Sequence, residues 1–321
     1  MSFLQIGSWN IEHLSGRSPE EKRQSAYALA DHIELAGVDI IALQEIYVTD
    51  PEEEVRLFPD QPVIASSAKG TRRNRDLDIV CYLLEEHLGS EWAYLILPNR
   101  SEGDTTQLCA VLWNDTKVSQ TGLLKIPVSH KEGDLNLWDR TPHAVKMTFR
   151  MKVWREFASA EAEDGTEWRQ VEEDKSLSLI PLHMKSNYGG STKNMRVREA
   201  EAKTLCAQLD RVRAEIDESL VLIGDTNVLK FDEPAITCFV DNGLIDLNNT
   251  DSSTYWSRRY GDSPFDRAFV AEDRPEFKYS RQYVLRSADL EAHDQLLSDH
   301  YMIKISGKSY LDDGDPRPAL G

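Results

Sequence analysis

Apolar positions along the chain fall into short runs of two kinds. Residues 4–9 form a brief apolar run that predicts a strand. Ser18-Pro19-Glu20-Glu21 then supplies an N-cap, a first-turn proline and a capping-box glutamate, and Tyr27, Ala30, Ile33 and Ala36 follow at helical spacing until Gly37. The run at 38–43, interrupted only by Asp39, predicts a strand buried on both faces. The opening unit is therefore strand, helix, strand.

Downstream the period changes. Apolar runs at 79–84, 92–97, 108–113, 118–126 and 144–153 are separated by polar turns and predict a mostly antiparallel middle. Residues 155–175 are acidic and polar with Gly165 at their centre, which predicts an exposed hairpin or loop. A strand at 177–182 precedes a helix over 195–217, where Ala202, Leu205, Leu209, Val212 and Ile216 share one face. A strand at 220–223, a helix at 234–240 and strands at 265–270, 279–285 and 301–305 complete the order. Two β-rich sheets with helices outside them fit this order better than a wholly parallel sheet. No Pro/Gly/Ser-rich linker divides the chain, so residues 1–308 are expected to be one domain, with an insertion at about 155–175 and a polar tail at 309–321.

Each buried run ends in a polar cluster: Ser8-Trp9-Asn10, Gln44-Glu45, His183-Met184-Lys185-Ser186-Asn187, Gly224-Asp225-Thr226-Asn227 and Ser298-Asp299-His300. Any one of these is ordinary cap or turn chemistry. Separate strands of one sheet can bring them together as a carboxylate-rich pocket with two histidines. Asn10, Glu45, Asp225, Asn227 and Asp299 offer hard oxygen donors suited to Mg²⁺, Mn²⁺ or Ca²⁺. Without a cysteine or paired-histidine set, the pattern does not suit zinc. Asp225 is placed to orient or deprotonate a water, and His183 and His300 to hydrogen-bond phosphate oxygens.

In this order the clusters resemble the endonuclease/exonuclease/phosphatase superfamily, whose fold is that of deoxyribonuclease I. The resemblance runs from Trp9-Asn10-Ile11 through Leu43-Gln44-Glu45, His183 to Ser186, Gly224 to Asn227 and Phe265-Asp266-Arg267 to Ser298-Asp299-His300. It implies an α+β, four-layered αββα sandwich of two packed, mainly antiparallel sheets. Glu45 would be the principal metal ligand with Asn10 and Asp299 nearby, the metal being Mg²⁺, with Mn²⁺ or Ca²⁺ as alternatives. Asp225 and Asn227 would position and activate water or hold a second metal, His183 and His300 would hold the scissile phosphate, and Asp266 would orient His300. Hydrolysis would proceed by in-line attack of water on phosphorus without a covalent intermediate. Arg140-Thr141-Pro142 resembles an architectural element of the family. Gln107 stands where many nuclease members carry a glutamate that supports the catalytic histidine, and an amide cannot raise that histidine's basicity as a carboxylate would.

Charge and composition narrow the substrate less firmly. With 37 Lys and Arg against 55 Asp and Glu, the formal charge is −18, which repels a polyanion unless charge is segregated. It is segregated: base gathers at Lys69, Arg72, Arg73 and Arg75, at Lys185, Lys193, Arg196 and Arg198, and at Arg258 and Arg259. Residues 254–260 interleave aromatics with arginines, a pairing that suits phosphate backbones and unstacked bases. The substrate-binding candidates are accordingly Lys185, Asn187, Arg72, Arg73, Trp256 and Arg258, and the expected substrate is nucleic acid, DNA before RNA. Two alternatives stand beside it: action on a small or lipid phosphate ester, and a catalytically silent module that binds nucleic acid or protein. Hydrophobic residues make up 40% of the chain in runs too short to cross a bilayer, the N-terminus lacks a secretory pattern, and four scattered cysteines lack metal spacing. A cytoplasmic protein with reduced thiols, no membrane partner and no obligate protein partner is expected.

Overall fold

A computed structural model describes residues 4–16, 24–99, 107–158, 166–188 and 190–307. In chain order the elements are β1 (Leu4–Leu14), α1 (Ala26–Ala36), β2 (Ile40–Ile46), α2 (Arg75–Leu88), β3 (Trp92–Ile96), β4 (Leu108–Asn114) and β5 (Val118–Lys125). A small ribbon, β6 (Lys131–Glu132) and β7 (Leu135–Asn136), leads to two long strands, β8 (His143–Ala158) and β9 (Thr166–His183). Then come α3 (Ser191–Cys206), α4 (Leu209–Glu215), β10 (Leu220–Asp225), α5 (Pro234–Asp241) and β11 (Leu244–Asp246). The last part holds the ribbon β12 (Tyr255–Ser257) and β13 (Gly261–Ser263), followed by β14 (Asp266–Ala271), β15 (Tyr283–Leu285), α6 (Leu290–Leu296) and β16 (Met302–Gly307).

Among the described residues the strands form two six-stranded sheets, ordered β15-β16-β1-β2-β4-β3 and β11-β14-β10-β9-β8-β5. Ile6, Ile40, Val111 and Ile303 of the first face Val145, Leu179, Val221 and Val270 of the second in one shared core. Leu29 and Ile33 of α1 and Leu77 and Leu84 of α2 pack on the outer face of the first sheet. Leu205, Val212 and Phe239 of the α3–α5 group cover the outer face of the second. The layers are thus α, β, β, α, as expected. Among the described residues no helix is long and apolar enough to cross a membrane.

Each sheet is antiparallel except for one central parallel pair, β1 with β2 and β9 with β10. The C-terminal ends of these pairs set Asn10 opposite Gln44, next to Glu45, and Asp225 opposite His183. Gly224 permits the second juxtaposition. Its φ is +152°, and a Cβ there would lie 2.1 Å from the Leu182 carbonyl oxygen.

Several expectations are corrected. The run at 79–84 is not a strand but the middle of α2: the Asn74 side chain accepts the Leu77 N–H, and Leu77, Val80, Cys81 and Leu84 form one buried helical face. A six-residue apolar run carries too little period to separate the two readings. The helix over 195–217 is two helices, α3 and α4, broken at Ala207 and Gln208. The capping box at Ser18 lies outside the described residues, and α1 is instead capped by Ser25, whose side chain accepts the Ala28 N–H. Only 283–285 of the strand expected at 279–285 is extended, after a 3₁₀ turn at Pro275–Phe277. The acidic stretch is a hairpin whose arms pair as far as Ala158 and Thr166, while Gly165 lies outside the described residues.

Candidate active site

The two parallel pairs open at the same end of the sandwich, above a cleft of about 630 Å³ lined by Glu45, Gln107, Arg140, His183, Asn187, Asp225, Asn227, Tyr255, Phe265 and His300, among others. Asn10 joins the sheets at its floor. Its Nδ2 donates to Asp225 Oδ2 at 3.1 Å and to Glu45 Oε1 at 3.3 Å, while its Oδ1 accepts the Glu12 N–H. The sequence suggested Asn10 as a metal ligand. In the structure its amide nitrogen is a donor between two carboxylates, and its side-chain oxygen accepts a backbone N–H.

Asp225 is the centre of the site. The Asn227 N–H donates to its Oδ1 at 2.8 Å, and its Oδ2 lies 3.9 Å from both His183 Nε2 and His300 Nε2. Those gaps exceed a direct hydrogen bond. Burial raises the Asp225 carboxyl to about 7; the positive His300 opposes the rise, and Asp266 and Glu45 add to it.

The two histidines are in opposite electrostatic states. Burial, then Arg140, His300 and His13, hold His183 well below the usual imidazole value, so it is neutral, and its Nδ1 has no hydrogen-bond partner among the described residues. Burial works against charge on His300 as well, but Asp266 overrides it, with Asp225 and Asp299 adding, and the pKa lies well above the ordinary value. Asp266 is fully buried, accepts His300 Nδ1–H at 2.8 Å, and is itself fixed by the Thr254 hydroxyl at 2.8 Å. Asp299 lies beside the same imidazole, with Oδ1 4.0 Å from His300 Nε2, and its backbone N–H donates to Glu12 Oε2.

Glu45 sits at a bulge at the end of β2 with φ +64°, a left-handed conformation that turns its carboxylate into the cleft. Gln107 Nε2 donates to Glu45 Oε2 at 2.7 Å, and Gln107 Oε1 accepts from Arg140. Gln107 is thus engaged by the metal-ligand candidate and an arginine, and it does not support His183. Asn227 lies on the cleft wall, where its Nδ2 donates to the Met184 carbonyl.

The substrate-binding candidates divide. Asn187 lines the cleft, its Nδ2 donating to the Asn227 carbonyl and its Oδ1 accepting from the buried Arg198. Lys185 pairs with Asp139 at 2.9 Å. Arg73 is a brace for α2: its Nε donates to buried Asp78 and its Nη1 to the carbonyls of Pro51 and Glu53. The charge of Arg72 is felt at His143, at the start of β8. Arg258 pairs with Glu291 on the exposed ribbon. Trp256 lies on that ribbon too, and the aromatic wall of the cleft is instead Tyr188, Tyr255, Tyr260 and Phe265.

Sequence reading missed Glu12 and His13. Strand alternation would send them to opposite faces, but both have left-handed φ, +53° and +60°, and this bend carries Glu12 to Asp299 and His13 to Glu45. The adjacency of Glu12 to the Asn10 cluster was the signal available.

The donor set fits a hard divalent cation. Glu45 and Asp225 line the cleft and share the Asn10 amide, met there by Gln107 and His183, while Asp299 lies beside His300 and Glu12 beside Asp299.

No protein-family model and no curated protein matches the sequence. Solved structures match it by fold. An endonuclease/exonuclease/phosphatase family protein from Leptotrichia buccalis is 14% identical, with a TM-score of 0.55 over 96% of this chain and 100% of that one. The human Nocturnin catalytic domain with bound sulfate anion is 15% identical, with a TM-score of 0.53 over 95% and 93%. D. rerio TDP2 complexed with single strand DNA product is 14% identical, with a TM-score of 0.52 over 95% and 99%.

Proposed function

We propose that this chain, which has the DNase I-like fold of the endonuclease/exonuclease/phosphatase superfamily, is a divalent-metal-dependent phosphodiesterase that cleaves nucleic acid, DNA before RNA. One observation carries the reading: Asp225 Oδ2 lies 3.9 Å from the Nε2 atoms of both His183 and His300 and shares the Asn10 amide with the Glu45 carboxylate. A buried carboxyl titrating near neutrality next to a protonated imidazole is the arrangement needed to orient a water against an anionic ester.

Glu45 would hold Mg²⁺ or a similar cation, with Asp299 and Glu12 as further oxygen donors. Bound there, it would supply Lewis-acid stabilisation of a phosphate oxygen. His300, kept positive by Asp266, donates Nε2–H to a non-bridging oxygen, and neutral His183 contributes a second donor. Asp225, its carboxylate fixed by the Asn227 backbone N–H, accepts the proton of the attacking water as the water oxygen bonds to phosphorus; the opposite P–O bond breaks, and the leaving oxygen takes a proton from solvent. Tyr188, Tyr255, Tyr260 and Phe265 provide ring surface for unstacked bases beside the scissile group. The fold neighbours whose structures hold sulfate and a single-strand DNA product support a phosphate-binding cleft of this kind.

The test is a screen of Mg²⁺, Mn²⁺ and Ca²⁺ across labelled linear and circular, single- and double-stranded DNA and RNA, with a generic phosphodiester as control. Metal-dependent cutting that is lost in Glu45→Gln is expected. If every substrate stays intact with every metal, the proposal fails.

A further inference from the structure

His13 has no part in the hydrolytic scheme above, yet its surroundings are built. Its Nε2 lies 3.4 Å from Glu45 Oε2, and its Nδ1 lies 3.1 Å from the Tyr47 hydroxyl. Tyr47 is itself held close, since a Cβ on Gly16 would meet the tyrosine ring at 2.3 Å. Glu12, His13, Ser15 and Glu45 all take left-handed φ without being glycine. Four such residues at one place cost stability, and the surrounding structure holds them only where it over-determines the geometry. The outcome of that strain is an imidazole, 29% exposed and so reachable from solvent, set against the carboxylate that carries the cation site.

The pair is too far apart for a good hydrogen bond, which falls at about 2.7–3.2 Å. It is close to the spacing of two neighbouring ligands on one cation, about 3 Å when each bond is about 2.1 Å. In the tautomer that donates Nδ1–H to the Tyr47 oxygen, Nε2 is an acceptor, 3.4 Å from Glu45 Oε2 and 3.4 Å from the Gln107 amide nitrogen. Both atoms can then give an electron pair to one cation, with the Gln107 amide beside them. Oε2 has a second acceptor position, which Gln107 Nε2 already fills at 2.7 Å. Tyr47 then has the role usual for the partner of a ligating histidine, fixing tautomer and ring direction through the other nitrogen.

Building on the cation site of the proposed function, we infer that His13 is a nitrogen ligand of that site and shifts its selectivity from Mg²⁺ toward transition cations such as Mn²⁺. Imidazole nitrogen favours first-row transition metals, whereas carboxylates and water suit Mg²⁺.

Binding separates this inference from the hydrolytic reading, because it needs no substrate. Mn²⁺ alone, added to the purified full chain, is expected to give an electron spin-echo signal with ¹⁴N coupling. That coupling should vanish in His13→Ala and in His13→Gln, the second variant serving if the first does not fold. Calorimetry should show Mn²⁺ affinity falling about 10-fold or more in these variants, with Mg²⁺ affinity changed far less. Tyr47→Phe should give an intermediate loss. If the ¹⁴N coupling persists without His13, or the Mn²⁺ to Mg²⁺ preference is unchanged, the inference is overturned while the cation site stands. If neither cation binds the wild-type chain, both this inference and the metal-dependent reading are lost.

Discussion

Behind the cleft, His300 donates Nδ1–H to Asp266 Oδ2 at 2.8 Å, which leaves Nε2 3.9 Å from Asp225 Oδ2. Asp266 does not reach the cleft, and it is absent from the residues that line it. It acts through the imidazole, by fixing the tautomer and by stabilising the positive ring. Thr254 holds the other side of the same carboxylate oxygen, so the ring's direction is set from behind the site.

Asp266→Asn should therefore lower kcat by about 10²–10³-fold, the usual cost of a lost transition-state donor, with little change in circular dichroism. The pH profile separates this from simple disruption. Because His300 has a pKa raised well above the ordinary value, its donating form persists through neutral pH and is lost only as pH climbs through that raised value. Without the Asp266 charge the pKa falls, so the alkaline limb of kcat/KM should move to lower pH. An unmoved limb would show that Asp266 does not govern the charge of His300.

Asp225 makes the reverse prediction for stability. Its carboxyl, ordinarily near 3.8, is raised to about 7 in the folded chain, so the fold favours its protonated form. That contribution is fully present below the unfolded value and is lost as pH rises toward about 7. Asp225→Asn escapes the loss. In chelator, its Tm should exceed that of the wild type by a few degrees at pH 8, and the gap should narrow toward pH 5. The variant should be inactive by orders of magnitude, and added Mn²⁺ should raise its Tm less than that of the wild type. Equal Tm values at pH 8 would mean that the carboxylate carries no strain in the metal-free site.

The parts of this arrangement that the sequence shows are those where burial leaves a pattern. The strands at 38–43, 177–182 and 220–223 read plainly because both faces are covered, and their polar ends stand out against those runs. The convergence of Asn10, Glu45, His183, Asp225 and His300 follows once the strands are placed. Three features escape for physical reasons. Arg73 looks like a free basic residue, but Asp78, five residues on, returns beside it only because the segment is helical. Gln107 reaches Glu45 and not His183 because β4 pairs with β2 in the first sheet, while His183 ends a strand of the second. His13 is concealed by alternation, since left-handed φ at two consecutive non-glycine residues is a product of tertiary structure and leaves no local signature.

The brace behind the cleft wall gives a prediction of a different kind. Arg198 on α3 is fully buried and donates Nε and Nη2 to Glu233 Oε2, while its Nη1 holds Asn187 Oδ1 and the Lys185 carbonyl. One guanidinium thus ties the loop after His183 to the start of α5. Glu233→Ala would leave that charge buried without its partner, at a cost of about 3–5 kcal/mol, and should lower Tm by many degrees. Replacing both, Arg198→Met with Glu233→Leu, removes the charge and its counter-charge together and should recover most of the stability, because apolar packing substitutes well for a buried ion pair. It should not recover function fully. Asn187 would remain unanchored, so KM should stay raised several-fold while kcat changes by less than about threefold, the signature of lost uniform binding. If the double variant regained both Tm and KM, Arg198 would be a purely structural group, and the position of Asn187 would depend on its bond to the Asn227 carbonyl alone.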